Sequence, residues 1–265
     1  MKSNEEELQS LPHDTRLAGR TAIVTGSSSG IGEAIARVLA ASGAEVVVSG
    51  RDSARVLAVV DVIAADGGTA HAVMGDLGGS YADIRRFVED SVSSLGGRVD
   101  ILVNNAGIYP VTDTSELTDA DLDAVLATNI RAPHVLVAAL APSMVERGSG
   151  SIVNIGSWMS RIGLPFGAIY TASKAAIEQM TRTWSAEFGP SGVNVNTVAP
   201  GATSTPGNAD SADVLAAMTA ATAAGRPVRP VDVAFAVRYL VSDEATFVHG
   251  TVLDIDGGII TTRVG

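Results

Sequence analysis

Two residues of complementary chemistry stand four apart, Tyr170 and Lys174. The chain holds two lysines and sixteen arginines, and the other lysine, Lys2, lies in an acidic leader. A sequence that otherwise draws its positive charge from arginine keeps its one internal ammonium for this place. Arginine would not substitute there, because a guanidinium is a rigid, permanently charged fork, whereas an ammonium is a compact point charge on a flexible stem. Residues four apart on a helix share a face, so the ammonium can lie beside the phenol. A free tyrosine titrates near pH ~10, too high for ready proton exchange at neutrality, and a neighbouring cation favours the phenolate. The pair points to a tyrosine whose proton is used in general acid–base chemistry.

A second constellation lies near the N-terminus. Residues 21–32 read TAIVTGSSSGIG, a strand, then Gly26, Ser28, Ser29, Gly30, Ile31 and Gly32 leading into a helix. Glycines let the backbone turn sharply and approach a pyrophosphate, while the helix N-terminus offers free N–H groups and a positive dipole end. The spacing is G-x3-G-x-G, a variant of the G-x-G-x-x-G dinucleotide fingerprint. The next strand ends EVVVSGRD. An acid at its end would bind both ribose hydroxyls and repel a 2′-phosphate; an arginine would welcome that phosphate. Ser49-Gly50 supply no acid and Arg51 follows, which favours NADP(H), with NAD(H) still possible because Asp52 is close. Asp52 itself reads as a helix N-cap, and a solvated surface charge is the plainer reading of Arg51.

The elements that must position these groups alternate. Strands are expected at 21–25, 45–49, 71–75, 100–104, 151–155, 193–198 and 251–255, with helices near 31–42, 53–66, 80–96, 118–147, 168–189 and 231–242. Uninterrupted Val/Ile/Leu strands separated by helices imply a parallel sheet covered on both faces, an α/β doubly wound domain. Ligands then bind beyond the carboxyl ends of the strands. Thr118 with Asp121 resembles a capping box, Pro133 predicts a kink or break, and the helix carrying Tyr170 stops at Gly189-Pro190. Segment 202–224, rich in Ala, Thr and Ser, reads as a mobile lid with one or two short helices, or as an ordinary surface helix. No linker or repeat is visible, so residues 18–265 form one expected domain behind a flexible acidic leader, 1–17.

Composition narrows the partners. A formal charge of −11 argues against nucleic acid. The absence of cysteine excludes disulfides and thiolate chemistry, and His13, His71, His134 and His249 show no ligand spacing, so no metal site is expected. No signal peptide and no apolar run of spanning length is seen, so no membrane partner is expected and a soluble, cytoplasmic protein is the natural expectation. Aromatic residues are 4% of the chain, so the core must be aliphatic.

TGSSSGIG, Asp76, Asn104-Asn105-Ala106-Gly107, Asn129, Ser157, Tyr170-x3-Lys174 and Pro200-Gly201 occur in the order of the short-chain dehydrogenase/reductase family. The chain resembles that family over residues 18–258. The resemblance implies a Rossmann-type fold with about seven parallel strands, an NADP-preferring carbonyl reductase or alcohol dehydrogenase activity, and a homo-oligomer, a tetramer before a dimer. It also implies roles. Asp76 and Leu77 would meet adenine; Asn104 to Gly107 would line the cofactor floor, with Asn105, Ala106 and Gly107 in contact. Pro200, Gly201, Thr203 and Thr205 would flank the nicotinamide. Tyr170 would be general acid in carbonyl reduction, Lys174 would tune it and hold the ribose, Ser157 would steady the substrate oxygen, and Asn129 would disturb its helix and anchor a water leading to Lys174.

Pocket candidates are Ile108, Tyr109, Pro110, Trp158, Met159, Leu164, Phe166 and Met218, a mostly apolar set that suits a neutral, small or medium-sized ketone or secondary alcohol. A 3-oxoacyl thioester reductase, docking its carrier on Arg147, Arg161 and Arg182, is an alternative, as is an NAD-dependent alcohol dehydrogenase. A non-catalytic nucleotide sensor is a third class, but its expected loss of a catalytic residue is not seen.

Overall fold

The computed structural model describes residues 2–262; the last three residues of the expected domain, 263–265, lie outside the described residues. Seven strands form one parallel sheet: β1 (Thr21–Val24), β2 (Glu45–Gly50), β3 (Thr69–Met74), β4 (Ile101–Asn104), β5 (Gly150–Ile155), β6 (Val193–Pro200) and β7 (Val252–Ile255). Their order is β3-β2-β1-β4-β5-β6-β7. The connections therefore wind outward in two directions from the β1/β4 junction, the place where ligands bind in such sheets.

The strands are apolar on both sides because helices cover both faces. Along β1 and β4 every residue is buried. Helices α1 (Asn4–Gln9), α2 (Gly30–Ala41), α3 (Ser53–Ala65), α4 (Tyr81–Ser94), α5 (Asp119–Val125), α6 (Ala132–Arg147), α7 (Ala168–Phe188), α8 (Ala212–Thr219) and α9 (Pro230–Leu240) follow in chain order. One core joins Val24, Val46 and Val198 to α2, α3 and α9. The other joins Ile23, Leu102 and Ile152 to α4, α6 and α7. Between the sheet and α7 runs a buried polar chain: Asn104 donates to Asn154 at 2.8 Å, and Asn154 to Thr181 at 2.8 Å. Asn154 is paired through both ends of its amide, whereas Asn104 Oδ1 is buried without a hydrogen-bond partner.

Two expectations are corrected here. Residues 2–17 are a packed strap: Leu8 and Leu17 are buried, Glu5 pairs with Arg37 at 3.2 Å, and Asn4 Oδ1 accepts the Val231 N–H at 2.9 Å at the start of α9. Acidic composition suggested a solvated tail, but these partners are more than two hundred residues away in part and leave no local signal. The composite helix Asp119–Arg147 is also long and apolar enough to span a membrane by length and composition. Its apolar residues, Val135, Leu136, Leu140 and Met144 among them, are instead buried against the sheet.

That composite helix breaks as Pro133 predicts. Between α5 and α6, residues Leu126–Arg131 form a π turn, and Pro133 sits in the first turn of α6, where its missing N–H costs nothing. The π turn inserts one extra residue and re-aims the side chains within it, Asn129 included. Thr118 caps α5, accepting the Asp121 N–H at 3.1 Å, and α6 ends at Gly148 in the left-handed conformation.

Candidate active site

The Gly-rich turn after β1 is built by close approaches that only glycine permits. A Cβ on Gly32 would stand 2.3 Å from the Gly26 carbonyl oxygen, and one on Gly26 would stand 2.9 Å from Ala106 Cα. Ser29 enters α2 without a side-chain cap, so N–H groups of the first turn face outward. In front of them lies a cleft of about 420 Å³ at the carboxyl edge of the sheet. It is bordered by Gly26, Ser28, Ser29, Gly30, Ile31, Gly32, Arg51, Asp76, Leu77, Asn105, Ala106, Gly107 and Thr205. Free helix-terminal amides, glycine cradle and size together fit a dinucleotide.

Five expected contacts are not part of that lining: Tyr170 and Lys174, described below, and Pro200, Gly201 and Thr203. Thr203 turns its hydroxyl to the Gly201 carbonyl at 2.9 Å and bridges Val228; Gly201 packs on Asp256, and Pro200 ends β6. Of the group that follows β6, Thr205 is the residue that borders the cleft. Arg55, one turn after Arg51, joins the lining unforeseen; its spacing from Arg51 on α3 was the available signal. At the end of β2, a Cβ on Gly50 would meet Ser28 Oγ at 2.8 Å, so a side chain there would require the Ser28 hydroxyl to move. Asp52 caps α3, accepting from the N–H groups of Ala54 and Arg55 at 3.0 and 3.2 Å.

Tyr170 and Lys174 lie on one face of α7 at the inner end of this cleft. Lys174 is buried, donates to the Ile155 carbonyl at 2.8 Å and lies 5.9 Å from the centre of the Tyr170 ring. A Cβ on Gly107 would come within 3.5 Å of Lys174 Nζ and 3.4 Å of Asn129 Oδ1, which fixes all three around one point. Asn129 accepts the Ile108 N–H at 2.9 Å and donates to the Ile108 carbonyl and to Ser173 Oγ, so its amide clamps the strand-end loop to α7. Ser157, at the end of β5, hydrogen-bonds Tyr170 and accepts the Met159 N–H at 3.2 Å.

The electrostatics differ from the simple expectation. Burial pushes the Tyr170 phenol up, only partly offset by the Ser157 hydrogen bond. Burial likewise lowers the Lys174 ammonium to about 8, with Glu178 pulling it back. The ammonium's proton is directed at Ile155 rather than at the phenol, so it does not by itself make Tyr170 acidic.

Beside Tyr170 an apolar wall forms from Trp158, Met159, Ala202 and Ile259, with Ile162, Leu164, Phe166, Leu215 and Ile260 against it. Tyr109 stacks on Tyr170 with ring centres 4.4 Å apart. Met218 is exposed and does not join; Leu215, three residues earlier on α8, takes that place. Ile259 and Ile260 were not foreseen, since an apolar pair after a terminal strand carries no local mark of function. Of the three arginines expected as a docking patch, Arg147 binds the Val99 carbonyl at 2.7 Å near the start of β4, Arg161 forks onto Asp254 and Arg182 bonds Gln179, so each is engaged within the chain. No group of three His, Asp or Glu side chains that could hold a metal converges among the described residues.

An open parallel sheet with a glycine cradle at its switch point and a buried Tyr–Lys pair beside it defines a nucleotide-dependent oxidoreductase. The model of the short chain dehydrogenase family matches residues 20–215, and the chain belongs to that family. It is 38% identical to the cis-4-hydroxycyclohexanecarboxylate dehydrogenase of Sinomonas cyclohexanicum over 91% of this chain and 96% of the relative. It is 32% identical to the glucose 1-dehydrogenase of Gluconobacter oxydans over 94% of both chains. The structure of a 3-oxoacyl (acyl-carrier-protein) reductase from Agrobacterium tumefaciens C58 with NADP bound superposes with a TM-score of 0.86 at 34% identity, covering 91% of this chain and 95% of that one.

Proposed function

We propose that this chain is an NADP(H)-dependent oxidoreductase acting on an uncharged, largely apolar ketone or secondary alcohol of small or medium size. The observation that carries the reading is the half-buried Tyr170, which has Ser157 beside it, Lys174 one turn along the helix and an apolar wall packed against it. A bound nicotinamide supplies or accepts the hydride. Tyr170 gives its proton to the substrate oxygen during reduction and takes it back in the reverse direction. Ser157 donates to the same oxygen as charge builds on it. Lys174, seated at Gly107 and Ile155, holds the ribose end of the cofactor, and Asn129 keeps the Ile108 loop against α7.

The choice of NADP(H) over NAD(H) is supported by the end of β2, where Gly50 supplies no acid and Arg51 and Arg55 border the cleft. The three relatives' names span a ring alcohol, a sugar and a thioester, so the family alone does not assign a substrate. The wall beside Tyr170 favours an apolar one. That Arg147, Arg161 and Arg182 are each engaged within the chain weakens the carrier-protein alternative. A homo-oligomer, tetramer before dimer, goes with this reading, supported by exposed apolar side chains such as Phe247 and Leu126, as does a cytoplasmic location, where such cofactors are kept.

The test is a panel of alicyclic and open-chain ketones, keto-thioesters, sugars and alcohols followed by nicotinamide absorbance with both cofactors. The expected result is turnover of uncharged ketones with NADPH, with thioesters and sugars poor. A preference for charged or thioester substrates would overturn the substrate class.

A further inference from the structure

Glu178 is a buried carboxyl group that the reaction above does not use. It follows Lys174 by one turn of α7 and is about 4% exposed. Its Oε1 stands 2.5 Å from Ser160 Oγ, and that same oxygen stands 2.6 Å from the Ser157 carbonyl oxygen. A serine hydroxyl has one proton to give. If that proton goes to the carboxyl, two bare oxygens of Ser160 and Ser157 are left in contact. If it goes to the carbonyl, an ionised carboxylate would face the bare side of the hydroxyl oxygen at 2.5 Å. Both contacts are satisfied only when the carboxyl carries the second proton and donates it to Ser160 Oγ.

We propose that Glu178, as a protonated carboxylic acid, is a positioning residue for Ser157: it donates to Ser160, which donates to the Ser157 carbonyl and locks the turn Trp158–Arg161 against α7. This rests on the function proposed above, in which Ser157 touches the substrate oxygen. The turn is short and 3₁₀, and Ser157 caps it through its own side chain, so a shift of Ser160 moves Ser157 directly. The surroundings are set for a neutral group. Burial pushes the Glu178 carboxyl up, and Asp254 on β7 adds to the rise; Arg161 in the turn, Arg182 one turn further along α7 and Ser160 oppose it. Lys174, on the same helix, also faces it. Arg161, the nearest of the cations at 3.9 Å, is already forked onto Asp254. Space is tight: a Cβ on Gly156 would come within 3.1 Å of Glu178 Oε1 and 2.8 Å of Thr197 Cγ2.

The sign of the pH effect follows. When the acid ionises as pH rises, the Ser160 proton swings to the carboxylate, the Ser157 carbonyl loses its side-chain partner, and turnover falls. Glutamine donates an N–H to Ser160 at every pH, so E178Q should keep turnover within about threefold and lose that pH-dependent limb. Glu178→Ala should lower kcat by roughly 10- to 100-fold through misplacement, with the NADPH affinity unchanged.

The direct readout is infrared spectroscopy of the full chain at neutral pH, wild type minus E178Q, which should show the carbonyl stretch of a protonated carboxylic acid. Its absence, or an E178Q enzyme as impaired as Glu178→Ala, would overturn the proposal. The infrared band does not depend on turnover, so a failure of the assigned reaction leaves it standing and is detected separately by the Tyr170 variant described below.

Discussion

At the scale of single residues the reading turns on a proton. Tyr170→Phe removes that proton and little else. It should cut turnover by about 10²- to 10⁴-fold while NADPH affinity, measured by fluorescence titration, stays nearly intact; a variant that still turns over would falsify the acid–base assignment. Arg51→Ala should weaken NADPH by about 10- to 100-fold, the worth of a charge-assisted contact, and leave NADH nearly unchanged. Equal losses for the two cofactors would remove Arg51 from the 2′-phosphate.

Lys174 yields a prediction about stability. Its folded pKa of about 8 lies below the ordinary 10.5, so between these values the unfolded chain binds more protons and stability rises with pH. The cost is fully present below pH 8 and amounts to about 3 kcal/mol, taking ~1.4 kcal/mol per pH unit. In the cofactor-free protein, Lys174→Met should therefore be more stable than wild type at neutral pH, the gap closing as pH approaches 10.5. Urea unfolding across that range checks it, and a gap that is constant with pH would contradict it.

At the scale of elements, much was legible. The seven apolar runs lie where strands form, because a sheet buried on both faces needs continuous Val/Ile/Leu. Gly148 and Gly189-Pro190 mark real helix ends, and Asp52 caps α3 as its type and place suggest. Other features were hidden because they are set by distant partners. The π turn at Leu126–Arg131 depends on one inserted residue, and Asn129, a poor helix former, and Pro133 just beyond it were the local hints. The strap of residues 2–17 has the composition of a tail, and its order comes from Arg37, from the Val231 N–H and from Arg229, which donates to the Lys2 carbonyl at 2.7 Å and pairs with Glu7 at 3.5 Å.

The strap can be tested. Asn4→Ala removes the cap on the Val231 N–H and should cost about 1 kcal/mol of stability, lowering Tm by a few degrees. Removing residues 2–10 should cost more, since Leu8 leaves the core with it. An unchanged melting curve would return the segment to the status of a loose leader. Within 202–224 two short helices form, Pro206–Ser211 and α8. Leu215, not Met218, reaches the apolar wall, because the helix phase is fixed by packing that local composition does not reveal.

For the whole molecule, cofactor and assembly are linked to stability by mass action. NADPH at about 100 times its Kd should stabilise the fold by about 2.7 kcal/mol, several degrees of Tm, and NADH at the same concentration should do much less. Sedimentation at micromolar concentration should give a multiple of the 27.0 kDa chain, four before two; a single-chain mass would sink the oligomer.

The crowding at the end of the second strand has a practical outcome for anyone wishing to retune the enzyme's coenzyme demand. Grafting an aspartate at Gly50 is the obvious route to NADH, yet the new carbon would press on the hydroxyl of Ser28 at 2.8 Å before its carboxylate reached any ribose. The pair would have to change together, Ser28→Gly making way for Gly50→Asp, and the lone graft should give a poorer enzyme with either coenzyme.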